Sequence, residues 1–237
     1  MIVFLISILF TEINTNIDSL KILFEKKTDF QALVELNRAY QNLKMFDSAN
    51  IYLKKYENQY DSEEQAQLNY LIGDNLLFKG ELLPAREQYL KTVARFSSAN
   101  YANEALARLH LMESARKDTI LLKRLATGIF LYEIKDTKSA EDSLKNLIKT
   151  VVGDYALYYL ALVYFSKGEQ NMALATLEQL EKDFIGHRIH SAKLLMAETY
   201  IRLGKKLAGK KMLEDLVIKY PNSPSGIRAR KLLKQLK

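Results

Sequence analysis

Apolar residues recur three and four positions apart in paired short segments, and the pairs themselves recur along the chain. Between residues 30 and 63 the pattern runs Leu33, Leu36, Asn37 and Tyr40, then Ala49 and Leu53, which predicts one apolar stripe on each of two successive helices. Residues 66–99 repeat it with Ile72, Gly73 and Leu76, then Gly80, Ala85 and Tyr89. It returns as Thr127, Gly128, Leu131, Ala140 and Leu144 within 121–153, and as Leu157, Leu160, Ala161, Tyr164, Gly168, Ala173 and Leu177 within 154–187. A last copy, 190–223, carries Met196, Ala197, Tyr200, Gly204, Gly209, Leu213 and Pro221. One interval is too long: Leu76 and Leu131 lie 55 residues apart, and the surplus contains Asn103–Ala115, whose own periodicity predicts an extra helix.

Helix is expected almost throughout, because the chain has only 9 Gly and 3 Pro, with long runs rich in Leu, Ala, Lys and Glu between them. The glycines that remain have places in the pattern. Gly80, Gly168 and Gly204 suit a left-handed helix C-terminus in a turn. Gly73, Gly128, Ala161 and Ala197 are small where two helices of a unit cross closest, and Ala85, Ala140 and Ala173 receive the bulk of the facing helix.

Taken together these positions resemble the tetratricopeptide repeat: a large apolar residue, Leu, a small residue and Tyr on the first helix, then Ala, an aromatic or Leu, and Pro on the second. The resemblance covers about residues 30–221 and implies an all-α fold, a right-handed superhelical α-solenoid of antiparallel helix pairs. Residues 17–237 are accordingly expected to form a single solenoid, with Ile17–Lys27 as a short leading helix and 224–237 as the cap an open stack requires. In that cap Ser223 can accept a first-turn amide, Pro224 fits the first helical position, and Ala229, Leu232, Leu233 and Leu236 face the last repeat. The segments Phe96–Leu106 and Tyr220–Pro224 resemble joints of tetratricopeptide modules in bacterial cell-envelope proteins.

The N-terminus adds a localisation. Met1–Phe10 (MIVFLISILF) is an unbroken apolar run, too short for a membrane span and of the length of a signal-peptide core. Residues 1–16 are therefore expected to be a leader that is cleaved or left unpacked, which places the protein in the periplasm or outside the cell. If the run is no signal, the protein is cytoplasmic. No Lys or Arg precedes the run and no small-x-small site follows it.

Chemistry is sparse. The absence of Cys removes disulfides, thiol nucleophiles and a lipid-modified N-terminal Cys. No phosphate-binding Gly loop, nucleophile elbow or HExxH occurs, so no catalytic residue, cofactor or metal is assigned. His187 with His190, and His110 with Glu113, have two-ligand spacings, whereas a metal site needs three or four convergent groups.

Charge is polarised. Residues 202–237 hold 11 Lys and Arg against 2 acids, while the rest of the chain holds 24 against 26. Arg228, Arg230, Lys231 and Lys234 form a basic cap that an anionic surface could engage; nucleic acid is disfavoured because stacking aromatics are missing there.

The repeat frame turns Arg38, Asn42, Tyr70, Asp74, Phe78, Tyr158, Leu162, Phe165, Glu198 and Arg202 toward a concave groove. Aromatic groups there supply rigid apolar area, and the charges select orientation. The expected function is a non-enzymatic scaffold that holds a peptide or helix of another protein in this groove. The alternatives are an assembly component docking through the basic cap and an accessory domain of an enzyme complex.

Overall fold

Among the described residues, five helix hairpins close with the same turn. At the end of the first helix of each, one residue takes the left-handed backbone: Lys44 (φ 57°), Gly80 (86°), Lys135 (65°), Gly168 (80°) and Gly204 (76°). The next amide then donates to the carbonyl five residues back, Met45 to Tyr40, Glu81 to Leu76, Asp136 to Leu131, Glu169 to Tyr164 and Lys205 to Tyr200, each at 2.9 Å. This closure satisfies carbonyls that a helix end leaves orphaned and turns the chain back on itself. The five left-handed residues each fall fifteenth in the segments that begin at 30, 66, 121, 154 and 190.

The computed structural model describes residues 17–22, 24–26, 29–185 and 189–236, so the leader 1–16 and His187 lie outside the described residues. The helices are α1 (17–22 and 24–26), α2 (Phe30–Asn42), α3 (Phe46–Tyr56), α4 (Ser62–Lys79), α5 (Leu82–Arg95), α6 (Asn100–Ser114), α7 (Thr119–Glu133), α8 (Thr137–Lys145), α9 (Gly153–Ser166), α10 (Gln170–Asp183), α11 (His190–Arg202), α12 (Lys206–Lys219) and α13 (Pro224–Gln235). No strand occurs among the described residues, and the fold is all-α, built of helix hairpins. The extra helix expected over 103–115 is α6, three residues longer at its start. The chain divides into two compact units, up to His110 and from Leu111.

In the first unit, Phe24 is fully buried edge-on to Tyr56, at 4.6 Å between centroids, in a cluster with Leu33, Leu53, Leu68 and Ile72. Gly73 is required by Tyr89: a Cβ at Gly73 would run into the buried phenol ring. Polar groups are threaded through this core. Asn75 donates to both Asn37 and Asn50 and accepts from Gln41, each at 2.8 Å.

In the second unit the core is almost wholly apolar. One cluster joins Leu157, Ala161, Leu174, Leu177, Leu180, Ile189, Leu195 and Met196. Another joins Leu194, Ala197, Leu213, Leu216 and Ala229, with Leu232, Leu233 and Leu236 against it. Ala140 and Ala173 are fully buried here, as is Ala85 in the first unit, which is what close helix contact at those positions demands. The last helix begins as its residues dictate, with the Ser223 hydroxyl accepting from the Gly226 amide at 3.0 Å and Pro224 in the first turn.

Candidate functional site

The groove positions of the first unit lie on α2 and α4. Arg38 and Asn42 are exposed, and Arg38 forms an i,i+3 ion pair with Glu35 at 3.4 Å. Tyr70 and Phe78 are half-buried. Asp74 departs from the expectation of a groove carboxylate. It is 4% exposed, is held by the Arg108 guanidinium of α6 at 2.8 and 3.1 Å, and accepts the Tyr89 hydroxyl at 2.5 Å. Burial, first of all, raises the Tyr89 phenol well above its ordinary pKa, so it stays a donor. Arg108 also stands 5.7 Å over the Tyr70 ring, and Tyr70 contacts Tyr101 of α6 at 5.5 Å. Asp74 and Tyr70 therefore seat α6 on α4; Asp74 has no free charge for a ligand.

In the second unit the positions lie on α9 and α11. Tyr158, Leu162 and Phe165 are half-buried and pack on the unit's main cluster while keeping part of their surface open. Arg202, exposed on the neighbouring first helix, lays its guanidinium 3.8 Å from the centre of the Phe165 ring. At that distance the ring quadrupole attracts the cation, and one guanidinium N–H also reaches the Phe165 carbonyl at 3.5 Å. Glu198 is half-buried and pairs with Arg228 of α13 at 3.1 Å. The structure thus brings together Phe165 with Arg202, and Glu198 with one member of the basic cap.

Comparison with known proteins places this geometry. Residues 155–184, which span α9 and α10, and residues 191–223, which span α11 and α12, match the family model of the tetratricopeptide repeat. Residues 155–184 and 191–223 are tetratricopeptide repeats. Similar solved structures include the TPR2AB domain of yeast Sti1 in its pHSP90 complex, 14% identical over 94% of this chain and 92% of that one, at a TM-score of 0.43. YrrB, described as a TPR protein with an unusual peptide-binding site, is 15% identical over 90% of this chain and 97% of its own, at a TM-score of 0.42. The P58(IPK) TPR domain is 14% identical over 95% of this chain and 60% of its own, at 0.40. No curated protein matches.

Within the tetratricopeptide frame the tyrosines divide as packing requires. Tyr40, Tyr89 and Tyr164 are buried, and Tyr200 is half-buried over Leu157's cluster. In the basic cap, Arg230 donates to the Pro221 carbonyl at 3.3 Å, and Lys231 and Lys234 are exposed. Among the described residues no three His, Asp or Glu side chains converge as a metal site would, and no helix is long and apolar enough to cross a membrane. A cavity of about 250 Å³ between α10, α11 and α12 was not anticipated; Met196, Met212, Leu216 and Tyr220 line it. Arg108 was also missed as a functional partner of α4. Its signal was present, since Asp74 and Arg108 are opposite charges 34 residues apart, one repeat length, as are Gln41 and Asn75.

Proposed function

We propose that the protein is a non-enzymatic scaffold whose α9–α11 face holds a segment of another protein, with an apolar side chain set beside a carboxylate. The observation that carries this reading is the exposed Arg202 guanidinium stacked on half-buried Phe165. A stacked guanidinium is preorganised for bidentate contact with a carboxylate, and the open part of Phe165, Leu162 and Tyr158 supplies adjoining apolar area. The groove stands on two packed hairpins, so little ordering entropy is lost on the scaffold side when a segment enters. We also propose export, supported by the apolar run Met1–Phe10. Sequencing the N-terminus of the protein from its native cell tests that part; a mature chain that starts at Met1 contradicts it.

Selection from a displayed random-peptide library, followed by anisotropy with the enriched peptides, tests the face itself. Phe165→Ala and Arg202→Ala are expected to weaken binding tenfold or more with little change in melting temperature. Arg202→Lys, which keeps the charge but loses the planar fork, falls between. If the enriched peptides bind all three variants as they bind the parent, the face is not the site. If Phe165→Ala lowers the melting temperature as a core truncation does, Phe165 is packing and the reading loses its anchor.

A further inference from the structure

The outward side of α12 and α13 combines two features that no packing among the described residues uses. Leu207, Ile218 and Ile227 are 86%, 75% and 56% exposed. Around them stand exposed lysines: Lys206, Lys211 and Lys219 on α12, Lys231 and Lys234 on α13, none with a carboxylate partner among the described residues. Leu207, Lys211 and Ile218 share one face of α12 by their spacing of four and seven, and Ile227, Lys231 and Lys234 do the same on α13. Glu214 lies on that same face of α12, seven from Leu207 and four from Ile218, and faces Lys210 at 3.9 Å; Asp215 is exposed beside it, so the face is basic in excess and carries both signs.

We propose that this surface docks the protein on a bilayer containing anionic lipid. The proposal stands apart from the α9–α11 face and does not depend on it. Charge gives the sign of the partner: the segment 202–237 has 11 basic and 2 acidic residues, whereas the remainder is slightly acidic, so an anionic surface orients the molecule with this end toward it. The pattern of apolar groups gives its kind. Protein interfaces have a contiguous apolar centre from which Lys is depleted. Here single aliphatic tips are separated by lysines, the arrangement of an interfacial helix, whose tips enter the headgroup boundary while ammonium groups stay at phosphate level. Nucleic acid is a poorer fit, because Tyr220 is half-buried against His190 and no other aromatic residue lies on α12 or α13 to stack on bases.

Co-sedimentation of the full chain with phosphatidylcholine vesicles, with and without phosphatidylglycerol, tests this. Binding should appear with phosphatidylglycerol and fall steeply at high salt. Each basic residue near an anionic surface strengthens binding about five-fold, so Lys211→Gln with Lys231→Gln should weaken it roughly 25-fold. Leu207→Ser with Ile218→Ser should weaken it several-fold at unchanged charge. All four positions are exposed, and circular dichroism confirms that the variants keep their helix. Every variant retains residues 1–16, so differences among them report on α12 and α13. The proposal fails if phosphatidylglycerol adds nothing to sedimentation or if the Leu207/Ile218 variant binds as the parent does. It fails equally if polyglutamate at matched charge competes the protein off the vesicles, since an acidic protein is then the better partner.

Discussion

The two units repeat one hairpin and fill it differently. Of the twelve polar or charged residues buried among the described ones, nine lie in the first unit: Asn37, Gln41, Asn50, Glu57, Asn69, Asp74, Asn75, Thr92 and Arg108. The second has Thr176, Thr199 and Ser225, and the two threonines merely return their hydroxyls to carbonyls of their own helix, Met172 and Leu195. The contrast is sharpest at one pair of equivalent positions. Asp74 follows the small residue Gly73 of α4, and Glu198 follows the small residue Ala197 of α11; each ties its hairpin to the helix that comes after the second hairpin helix. Asp74 does so through Arg108 with both side chains 6% exposed, while Glu198 does so through Arg228, whose side chain is 65% exposed. A buried pair fixes which helix sits where, because any misplacement leaves desolvated charge behind; a pair with one partner open to solvent leaves that task to Ala229 and the leucines of α13.

The largest expected effect therefore belongs to Asp74→Ala. It strands the Arg108 guanidinium and the Tyr89 hydroxyl in the core and should cost about 3–5 kcal/mol in urea unfolding. Glu198→Ala, at the equivalent place, should cost no more than about 1 kcal/mol. Equal losses would erase the distinction between the units.

Asn75→Ala comes next, at about 2–3 kcal/mol, since it removes the common partner of Gln41, Asn37 and Asn50 and leaves three buried groups to find others. Hydrogen exchange resolves where the loss falls: the amides of α2 to α4 should open first. If instead α9 to α12 lose protection, the network is not confined to the first unit.

These residues also mark where the sequence could be read and where it could not. The hairpins of the second unit were legible, down to Ala173 and Gly204, because their repeat positions are filled by apolar and small groups that periodicity detects, and the family model matches there alone. In the first unit Asn37 occupies the position taken elsewhere by Gly or Ala, and Asn75, Gln41 and Asp74 look like surface residues on a helical wheel. Nothing in local pattern distinguishes a buried, paired Asp from a solvated one; only pairing one repeat length apart does. Asp74 was accordingly placed in a groove when it belongs to a joint. The face of Tyr158, Leu162 and Phe165 was readable as half-apolar, but the stacking of Arg202 on Phe165 joins residues 37 apart on two hairpins and needed the fold.

A smaller effect probes the polar contacts that the second unit does have, which lie at its surface. Glu141 accepts from Lys145 at 2.7 Å, from Lys167 at 3.0 Å and from Tyr164 at 3.1 Å, and the two ammonium groups, Lys145 first, pull its carboxyl down to about 2. A carboxylate whose pKa falls on folding stabilises above its unfolded value, near 4.3, and loses that contribution as the pH drops toward 2. Glu141→Gln should cost on the order of 1 kcal/mol at neutral pH, a modest figure because the lysines are open to solvent and screened. The deficit should shrink as the pH falls through that window. A deficit that stays constant down to pH 2 would mean that shape, not charge, is what Glu141 supplies.

The smallest effect concerns what the units share. Lys44 in the first unit and Lys135 in the second hold the left-handed turn position that Gly80, Gly168 and Gly204 hold in the other hairpins. An L side chain there costs roughly 1–2 kcal/mol, and glycine recovers this less the roughly 0.4–1 kcal/mol by which it loosens the unfolded chain. Lys44→Gly and Lys135→Gly should each stabilise by a few tenths to about 1 kcal/mol, and by the same amount, because the closing bonds Met45 to Tyr40 and Asp136 to Leu131 are equally long. A gain at Lys135 with a loss at Lys44 would show that the polar first unit extends its difference into the turn, through Gln41, whose carbonyl accepts the Lys44 amide at 2.8 Å while its side chain donates to Asn75. Equal gains would confine the difference between the units to their cores and leave the hairpin itself as the common part.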